Sequence, residues 1–581
     1  MITKKADRKP LLLCLFLAAF FLLLPVLTES VPMGHDIRFH WHRIAHMGEA
    51  LREGQFPVRL QGGWYHDFGY PLGVFYPDLF LYPFALLYAA GLPLWLCYRL
   101  FLVICVCGLV LISFYSFRRI SGDFPAALAA TCLYACSMWF LTDLYVRAAV
   151  GEALAIMFFP PVAAGFFLLL GKKETESLRF LVFGLTGLIQ SHVISAVLAL
   201  LILFLFFCGY LAGLLRRGNR EGLRQSFSVC VKSALWTLGI NAGFLLPFVS
   251  WNLRYDIMAH HPTADSAVAG VHPAQWLTLD YDLYGTLQEP ERYGEMPQTV
   301  GLTLLLLLLA GLVCFFLHLF SKERRTDRHL SALLFPSLLL LWMTASFFPG
   351  QWLYQHAPAV YRVLFGWIQF PFRYNTVLTL LLVLLFLRLY DLLYQRGNRR
   401  LLYGFLCAVL ILSLSEDARL LLMSGNGRPV AAHEGRIADA GEYDDDLYLF
   451  YGLDKESVND DTLRMTGTTV GETARKGFSF TLTDVRTQAS GTFLELPLWY
   501  YEGYSATDGG GNSLTLTEGT AHRVRILLPE GFVGEVYLRY AEPLLWRAAE
   551  LISVLCAILF LICGVARYRG KSVTPRNRQM T

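Results

Sequence analysis

Stretches of about 18 or more apolar residues recur along the whole chain, each long enough to cross the roughly 30 Å hydrocarbon core of a bilayer as a helix. One water-facing core cannot hide so many such runs. The expected class is therefore an all-α polytopic membrane protein. Composition agrees: 55% of the 581 residues are hydrophobic and 16% are charged, against about 25% charged in ordinary soluble domains. The net charge of +4 carries no nucleic-acid signal, because what counts in a membrane protein is which loops hold the Lys and Arg. The 12 cysteines lie within or beside apolar segments and form no Cys-x-x-Cys pair. They read as small buried hydrophobes, not as a zinc or redox framework.

Short basic stretches abut the apolar runs: KKADRK at the start, RRISGD at 118–123, GKKETES at 171–177, RRGNREGLR at 216–224, SKERRTDRH at 321–329, QRGNRR at 395–400 and RYRGKSVTPRNR from 567. The positive-inside rule places all of them in the cytoplasm, which requires an even number of crossings between neighbours. Residues 79–91 are apolar but short, and counting them as a crossing would invert everything after them. They are expected as a membrane-edge helix within the first outer loop, 29–93. Crossings are then expected near 10–28, 94–117, 124–141, 152–170, 178–190, 193–215, 228–248, 299–320, 330–348, 371–394, 401–415 and 544–566. That makes about 12 transmembrane helices in a plasma membrane, with both termini cytoplasmic. No small-x-small cleavage site follows Leu27, so the first run reads as an uncleaved helix.

Three regions follow: a transmembrane domain at 1–415, an outer β-rich domain at 416–543, and a last helix with a basic tail at 544–581. In the second, FSFTLTDV, TFLELPLWYY, SLTLTEG, HRVRILLP and EVYLRYA alternate apolar and polar residues between Gly-, Asn- and Asp-rich turns. That pattern predicts a small β-sandwich-like fold, either a glycan-binding module or a packing lid.

The chemistry concentrates just past the first apolar run, in GHDIRFHWHRIAHMGEALREGQFPVRL at 34–60. A helix over 36–52 would put Asp36, His40 and Arg43 on one face. Most charges of such a helix can be solvated at the interface by snorkelling. Asp36 stands about one turn beyond the first span, where a carboxylate is costly without a purpose. It could act as general base towards an acceptor hydroxyl, or hold a divalent cation, Mg or Mn, against a phosphate. Arg43 could grip a phosphate in bidentate fashion, and His40 could donate to it or orient Asp36. His42 and His46 have zinc-ligand spacing, but Arg43 stands where a zincin carries its Glu and no third ligand follows. Loop 249–298 holds His260, His261, His272, Asp280 and Asp282, as an acceptor groove or as plain surface.

The stretch GHDIRFHWHRI, continued by EALREGQFPVRL and GYPLGVFYPDLFLYP, resembles the first outer loop of bacterial membrane proteins labelled 6-pyruvoyl-tetrahydropterin-synthase-related. These are relatives of YfhO-like proteins and of the GT-C glycosyltransferase superfamily; nothing in the chain resembles the soluble pterin enzyme. Further patches resemble the same family: DLYVRAAVGEALAIMFFPP at 143–161 with Arg147 and Glu152, QSHVISA at 190–196 with His192, IQFPFRYN at 368–375 with Gln369 and Arg373, and LPLWYYEGYSATDGGG at 496–511. In that superfamily an acidic residue just after the first transmembrane helix is catalytic and the sugar arrives on a polyprenyl phosphate; Asp36 matches that position.

The resemblance implies a GT-C-like membrane glycosyltransferase. A polyprenyl-phosphate-linked sugar donor and an envelope glycan or glycolipid acceptor would meet at the outer face of the bilayer. Asp36 would be base or metal ligand and Glu152 would assist. His40, Arg43, Arg147, His192, Gln369 and Arg373 would serve the donor phosphate. Structural alternatives exist for each: an Arg147–Glu152 pair, a helix cap at His192, a snorkelling Arg373. Two rival functions are a flippase of lipid-linked saccharides, which would want polar residues at mid-membrane, and a non-catalytic scaffold for envelope assembly.

Overall fold

The structure is a computed structural model and describes residues 8–28, 31–32, 34–261, 270–277, 296–319, 327–425, 446–454, 457, 459–488 and 491–572. The expected Asp280 and Asp282 lie outside these residues, as do parts of the first, fifth and last basic stretches.

Among the described residues, seven helices are long and apolar enough to cross a membrane, or eight if one bent pair is counted as a single span. The expected 12 crossings are not found, and the reasons are local. The first helix, Arg8–Leu22, gives way to a 3-10 turn at Leu24–Leu27 that contains Pro25. The helix Glu174–Ile189 has 16 residues, about 24 Å at 1.5 Å per residue. The helix Arg328–Thr344 ends where Ala345 forms a bridge with Val271. The helix Arg399–Gly425 covers the expected crossing 401–415 and runs unbroken past it through Glu416, Asp417 and Arg419. Residues Phe124–Ala135 and Met138–Val146 form the bent pair, at 43°, and Tyr82–Ala89 is an eight-residue helix.

The chain folds into two compact units, each assembled from three segments. The first comprises Met1–Trp41, Pro93–Leu235 and Pro262–Ala440; the second comprises His42–Leu92, Trp236–His261 and Gly441–Thr581.

In the first unit the helix Asn375–Gln395 is central, with almost every residue from Asn375 to Tyr390 buried. An all-round apolar surface makes that possible. It packs against Arg328–Thr344, Leu302–Leu319 and Phe124–Ala135. The helices Phe159–Leu170 and Glu174–Ile189 approach so closely that a Cβ at Gly165 would lie 2.7 Å from Leu181, and one at Gly184 would lie 2.7 Å from Val162. Small residues at such an interface let backbones meet in a lipid environment, where the hydrophobic effect gives helices little reason to associate.

Among the described residues, the second unit carries an antiparallel sheet of nine strands: β1 (Arg464–Thr466), β2 (Thr468–Thr469), β3 (Thr473–Lys476), β4 (Ser479–Thr487), β5 (Thr492–Trp499), β6 (Tyr504–Asp508), β7 (Ser513–Glu518), β8 (Arg523–Leu528) and β9 (Val533–Tyr540). Their order is β1-β5-β8-β7-β6-β9-β4-β2, with β3 paired to β4. β7 bonds both β6 and β8 and so links the two halves. Alternate residues of each half, among them Leu482, Leu496, Ile526 and Leu538, share one core. The period of two along each strand dictates this: one face is apolar and must be covered. Part of the first loop packs on the same unit. Phe68 O accepts from Trp499 N at 3.0 Å, and the Trp499 ring lies 5.5 Å from Phe68 and 5.6 Å from Tyr65.

Candidate active site

Five of the sequence-predicted residues converge in the first unit. Asp36 stands immediately before the helix Ile37–Arg52. Its backbone N donates to Arg147 O at 2.8 Å and His35 N donates to Val146 O at 3.0 Å. The partner turn needs unusual geometry. Thr142–Val146 is a π-helical turn, and Ala148 has φ +53°, a left-handed conformation that a side chain ordinarily avoids. Such irregular backbone gathers at functional sites. Gly34 makes the close approach possible: a Cβ there would lie 2.6 Å from Ala148 Cβ and 2.7 Å from Ala148 N.

Arg147, buried, donates through Nη1 to Asp143 and to Glu152 Oε2, the latter at 2.9 Å. Arg373 donates through Nε to the same Glu152 oxygen at 3.2 Å and through Nη1 to Gln369 Oε1 at 2.7 Å. Gln369 holds that place with φ +69°. Thr376 Oγ1 donates to Glu152 Oε1 at 3.4 Å and accepts from Trp139 Nε1 at 2.8 Å. The Arg147 guanidinium also faces the Phe372 ring at 5.1 Å and the Trp139 ring at 5.5 Å. Among the described residues, the hydrogen bonds of the Arg147 side chain use Nη1 alone, so Nε and Nη2 have capacity for an anion.

Asp36 is half-buried. Burial raises its pKa above the ordinary 3.8, and Glu152 adds to that; Arg147, His35 and Arg373 pull the other way, Arg147 most. The group is thus a carboxylate made more basic by desolvation yet kept within the field of two guanidiniums.

His192 is the residue before the helix Val193–Arg216, but its side chain makes no capping bond to that helix; its Nδ1 lies 2.9 Å from Ser195 Oγ. His40 is 2% exposed, its ring 5.0 Å from Phe39. Arg43 is fully buried in the second unit. Its Nη2 is 2.5 Å from Asp78 Oδ1, and its guanidinium lies 3.8 Å from the centre of the Tyr76 ring. Arg43, expected at the donor phosphate, forms a buried ion pair with Asp78 here. His42 and His46 approach each other at 3.4 Å. His260 and His261 meet Asn252 and Asp256, and His272 accepts from Ala274 N.

Among the described residues no group of three or more His, Cys, Asp or Glu is placed to hold a metal ion. The Glu152 oxygens already accept from Arg147, Arg373 and Thr376. A divalent cation at Asp36 would have that carboxylate and substrate phosphate oxygens as its ligands, while the fixed positive charge beside it comes from the guanidiniums of Arg147 and Arg373. Asp143, Trp139 and Thr376 were not singled out by the sequence. Asp143 had a readable signal, four residues before Arg147 on a helical stretch; Thr376 and Trp139 had none.

No protein-family model matches the chain. An uncharacterized protein of Lactococcus lactis subsp. cremoris (strain MG1363) is 24% identical over 239 residues, which is 40% of this chain and 38% of that protein. Among solved structures, the Archaeoglobus fulgidus oligosaccharyltransferase tethered with an acceptor peptide aligns over 72% of this chain and 56% of its own, with a TM-score of 0.41 and 13% identity. The mycobacterial arabinofuranosyltransferase AftD aligns over 73% of this chain and 27% of its own, with a TM-score of 0.38 and 14% identity. The chain therefore spans less than two thirds of each of these proteins, and at such scores the likeness does not establish a shared fold. What the helices establish by length and composition is a multi-pass membrane protein.

Proposed function

We propose that this chain is a GT-C-type membrane glycosyltransferase. It would move a sugar from a polyprenyl-phosphate-linked donor to an envelope glycan or glycolipid at the outer face of the plasma membrane. The observation that carries the reading is the backbone tie between Asp36 and Arg147, which sets a desolvated carboxylate beside the Arg147–Glu152–Arg373 cluster.

In the reaction, an acceptor hydroxyl oxygen attacks the anomeric carbon. The bond from that carbon to the phosphate oxygen breaks, and its electron pair leaves on the phosphate. The hydroxyl proton passes to Asp36, for which a raised pKa is an advantage. The unused N–H groups of Arg147 and Arg373 stabilise the departing phosphate, and Glu152 holds both guanidiniums in register for it. Gln369 and Thr376 fix the outer sides of that cluster. His192, beside Ser195, would serve the donor phosphate. His40 and Arg43 support the helix that follows Asp36.

The test is Asp36→Asn in proteoliposomes with a polyprenyl-phosphate sugar. Transfer should fall at least about 10²-fold, the lower end of what a general base contributes, while the protein remains monodisperse. Wild-type rates in that variant would refute the assignment. Movement of labelled lipid across the bilayer without sugar transfer, in the unaltered protein, would identify a flippase instead.

A further inference from the structure

Arg147 carries more hydrogen-bonding capacity than its neighbours use, although an unmet acceptor stands in the same cluster. Its Nη1 alone donates, to Asp143 and to Glu152 Oε2. Asp143 is fully buried, and its Oδ2 has no hydrogen-bond partner among the described residues. An arginine free to turn would close two parallel bonds on such a carboxylate, the strongest arrangement open to the pair. Leaving a buried acceptor unmet is costly, so something holds the guanidinium in its present plane.

Two buried rings do so. The guanidinium lies 5.1 Å from the centre of the Phe372 ring and 5.5 Å from that of Trp139, and the rings stand 5.6 Å apart at 53°. A cation over an aromatic face is attracted by the ring quadrupole, most strongly by Trp, and desolvation strengthens the attraction. Trp139 reaches this place through a local break in the chain. The helix Phe124–Ala135 ends, Ser137 Oγ accepts from Phe140 N at 3.4 Å, and the one-turn helix Met138–Leu141 starts on an axis bent by 43°.

The indole is itself oriented. A buried Trp N–H ordinarily finds an acceptor, and Trp139 Nε1 donates to Thr376 Oγ1 at 2.8 Å. Because that oxygen accepts, its single proton is left for Glu152 Oε1, 3.4 Å away. One side chain therefore bears on both members of the Arg147–Glu152 pair, by its ring face on the guanidinium and by its N–H, through Thr376, on the carboxylate. Packing alone would ask only for a ring of this size. It would not leave Asp143 Oδ2 unmet beside a guanidinium with N–H groups to spare.

We infer that Trp139, together with Phe372, is a positioning residue: it withholds Nε and Nη2 of Arg147 from Asp143 and keeps them open for an oxyanion of the phosphate class. The inference rests on the proposed reaction for the source of that anion, the phosphate of a polyprenyl carrier. The test titrates the full-length protein in nanodiscs with undecaprenyl phosphate and with undecaprenol, by native mass spectrometry and with no transfer step. The unaltered protein should hold the phosphate at least about tenfold more tightly than the alcohol, which offers arginine no anion to grip. Trp139→Leu removes the ring and should abolish most of that difference while leaving the alcohol unchanged. Trp139→Phe keeps an aromatic face and should cost about threefold or less. Thr376→Val deletes the other half of the same hydrogen bond and should match it, and the double variant should bind no more weakly than either single one. That cycle serves if Trp139→Leu does not fold. Equal weakening of both lipids in Trp139→Leu, or additive losses in the double variant, would assign Trp139 to packing and overturn the inference; so would equal affinity of the unaltered protein for the two lipids. The expected pattern in a protein that transfers no sugar would uphold the anion seat and remove the transferase reading alone.

Discussion

Asp36 owes its setting to residues that do no chemistry. Gly34 is the clearest case, since any side chain there must displace the strained Ala148 turn that holds Arg147. Gly34→Ala should therefore shift Asp36 against the guanidiniums, and a misplacement of about 1 Å can cost about 10²-fold in rate. The expected signature is a fall in kcat with KM and thermal stability nearly kept; loss of folding alone would point to a purely structural glycine. The pH dependence belongs to the same residue. Burial lifts the Asp36 pKa above 3.8 while Arg373 lowers it. The acidic limb of kcat/KM should accordingly lie above the ordinary aspartate range, and Arg373→Gln should move it to still higher pH. A limb that moves down, or stays fixed, would place the essential base elsewhere.

Both units pair most of their buried charges. In the membrane-like unit, guanidiniums and carboxylates are locked together, as Arg147 is with Asp143 and Glu152; removing one partner of such a buried pair costs about 3–5 kcal/mol. In the sheet unit a different acid is exposed to pH. Glu542 lies between β9 and the last helix, Leu544–Ser572, with its side chain 4% exposed. Burial pushes its pKa up to about 7, against the opposing pull of Arg59 and Arg547. A carboxyl whose folded pKa is raised gives stability that is full below its ordinary value of 4.5 and is lost as pH climbs through 7. Thermal stability should therefore fall between those limits by the slope of about one proton. Glu542→Gln should flatten that decline, as thermal melts across the pH series would register; an unchanged slope would assign the titration to another group.

For the molecule as a whole, the orientation proposed for the active site has a consequence at both ends of the central helix. In a cysteine-free background, Asp36→Cys should react with a membrane-impermeant maleimide added to intact cells, and Asp391→Cys only after permeabilisation. Labelling of position 36 from the cytosolic side alone would invert the protein and remove the proposed outer-face reaction. The same labelling tests the orientation expected from the basic stretches, since the described helices provide seven or eight spans of sufficient length and apolarity and not the expected 12.

Much was legible in the sequence because it depends on local pattern. Apolar runs announce membrane helices, alternation announced β4, β5, β7, β8 and β9, and an aspartate just beyond an apolar run marked Asp36. Short polar strands such as β1 and β3 lack a pattern and were missed. Helix ends were also missed, since Pro25 and the bridge at Ala345 stop helices that hydropathy alone would extend. The site divides in the same way. Residue type and position drew attention to Asp36, Arg147, Glu152, Gln369 and Arg373, but only folding decided that Arg373, 221 residues from Glu152, shares an oxygen with Arg147, and that Arg43 goes to Asp78. Periodicity is a property of neighbours along the chain, whereas the pairing of charges is set by which backbones can approach, and that depends on packing at sites such as Gly34 that no single stretch of sequence encodes.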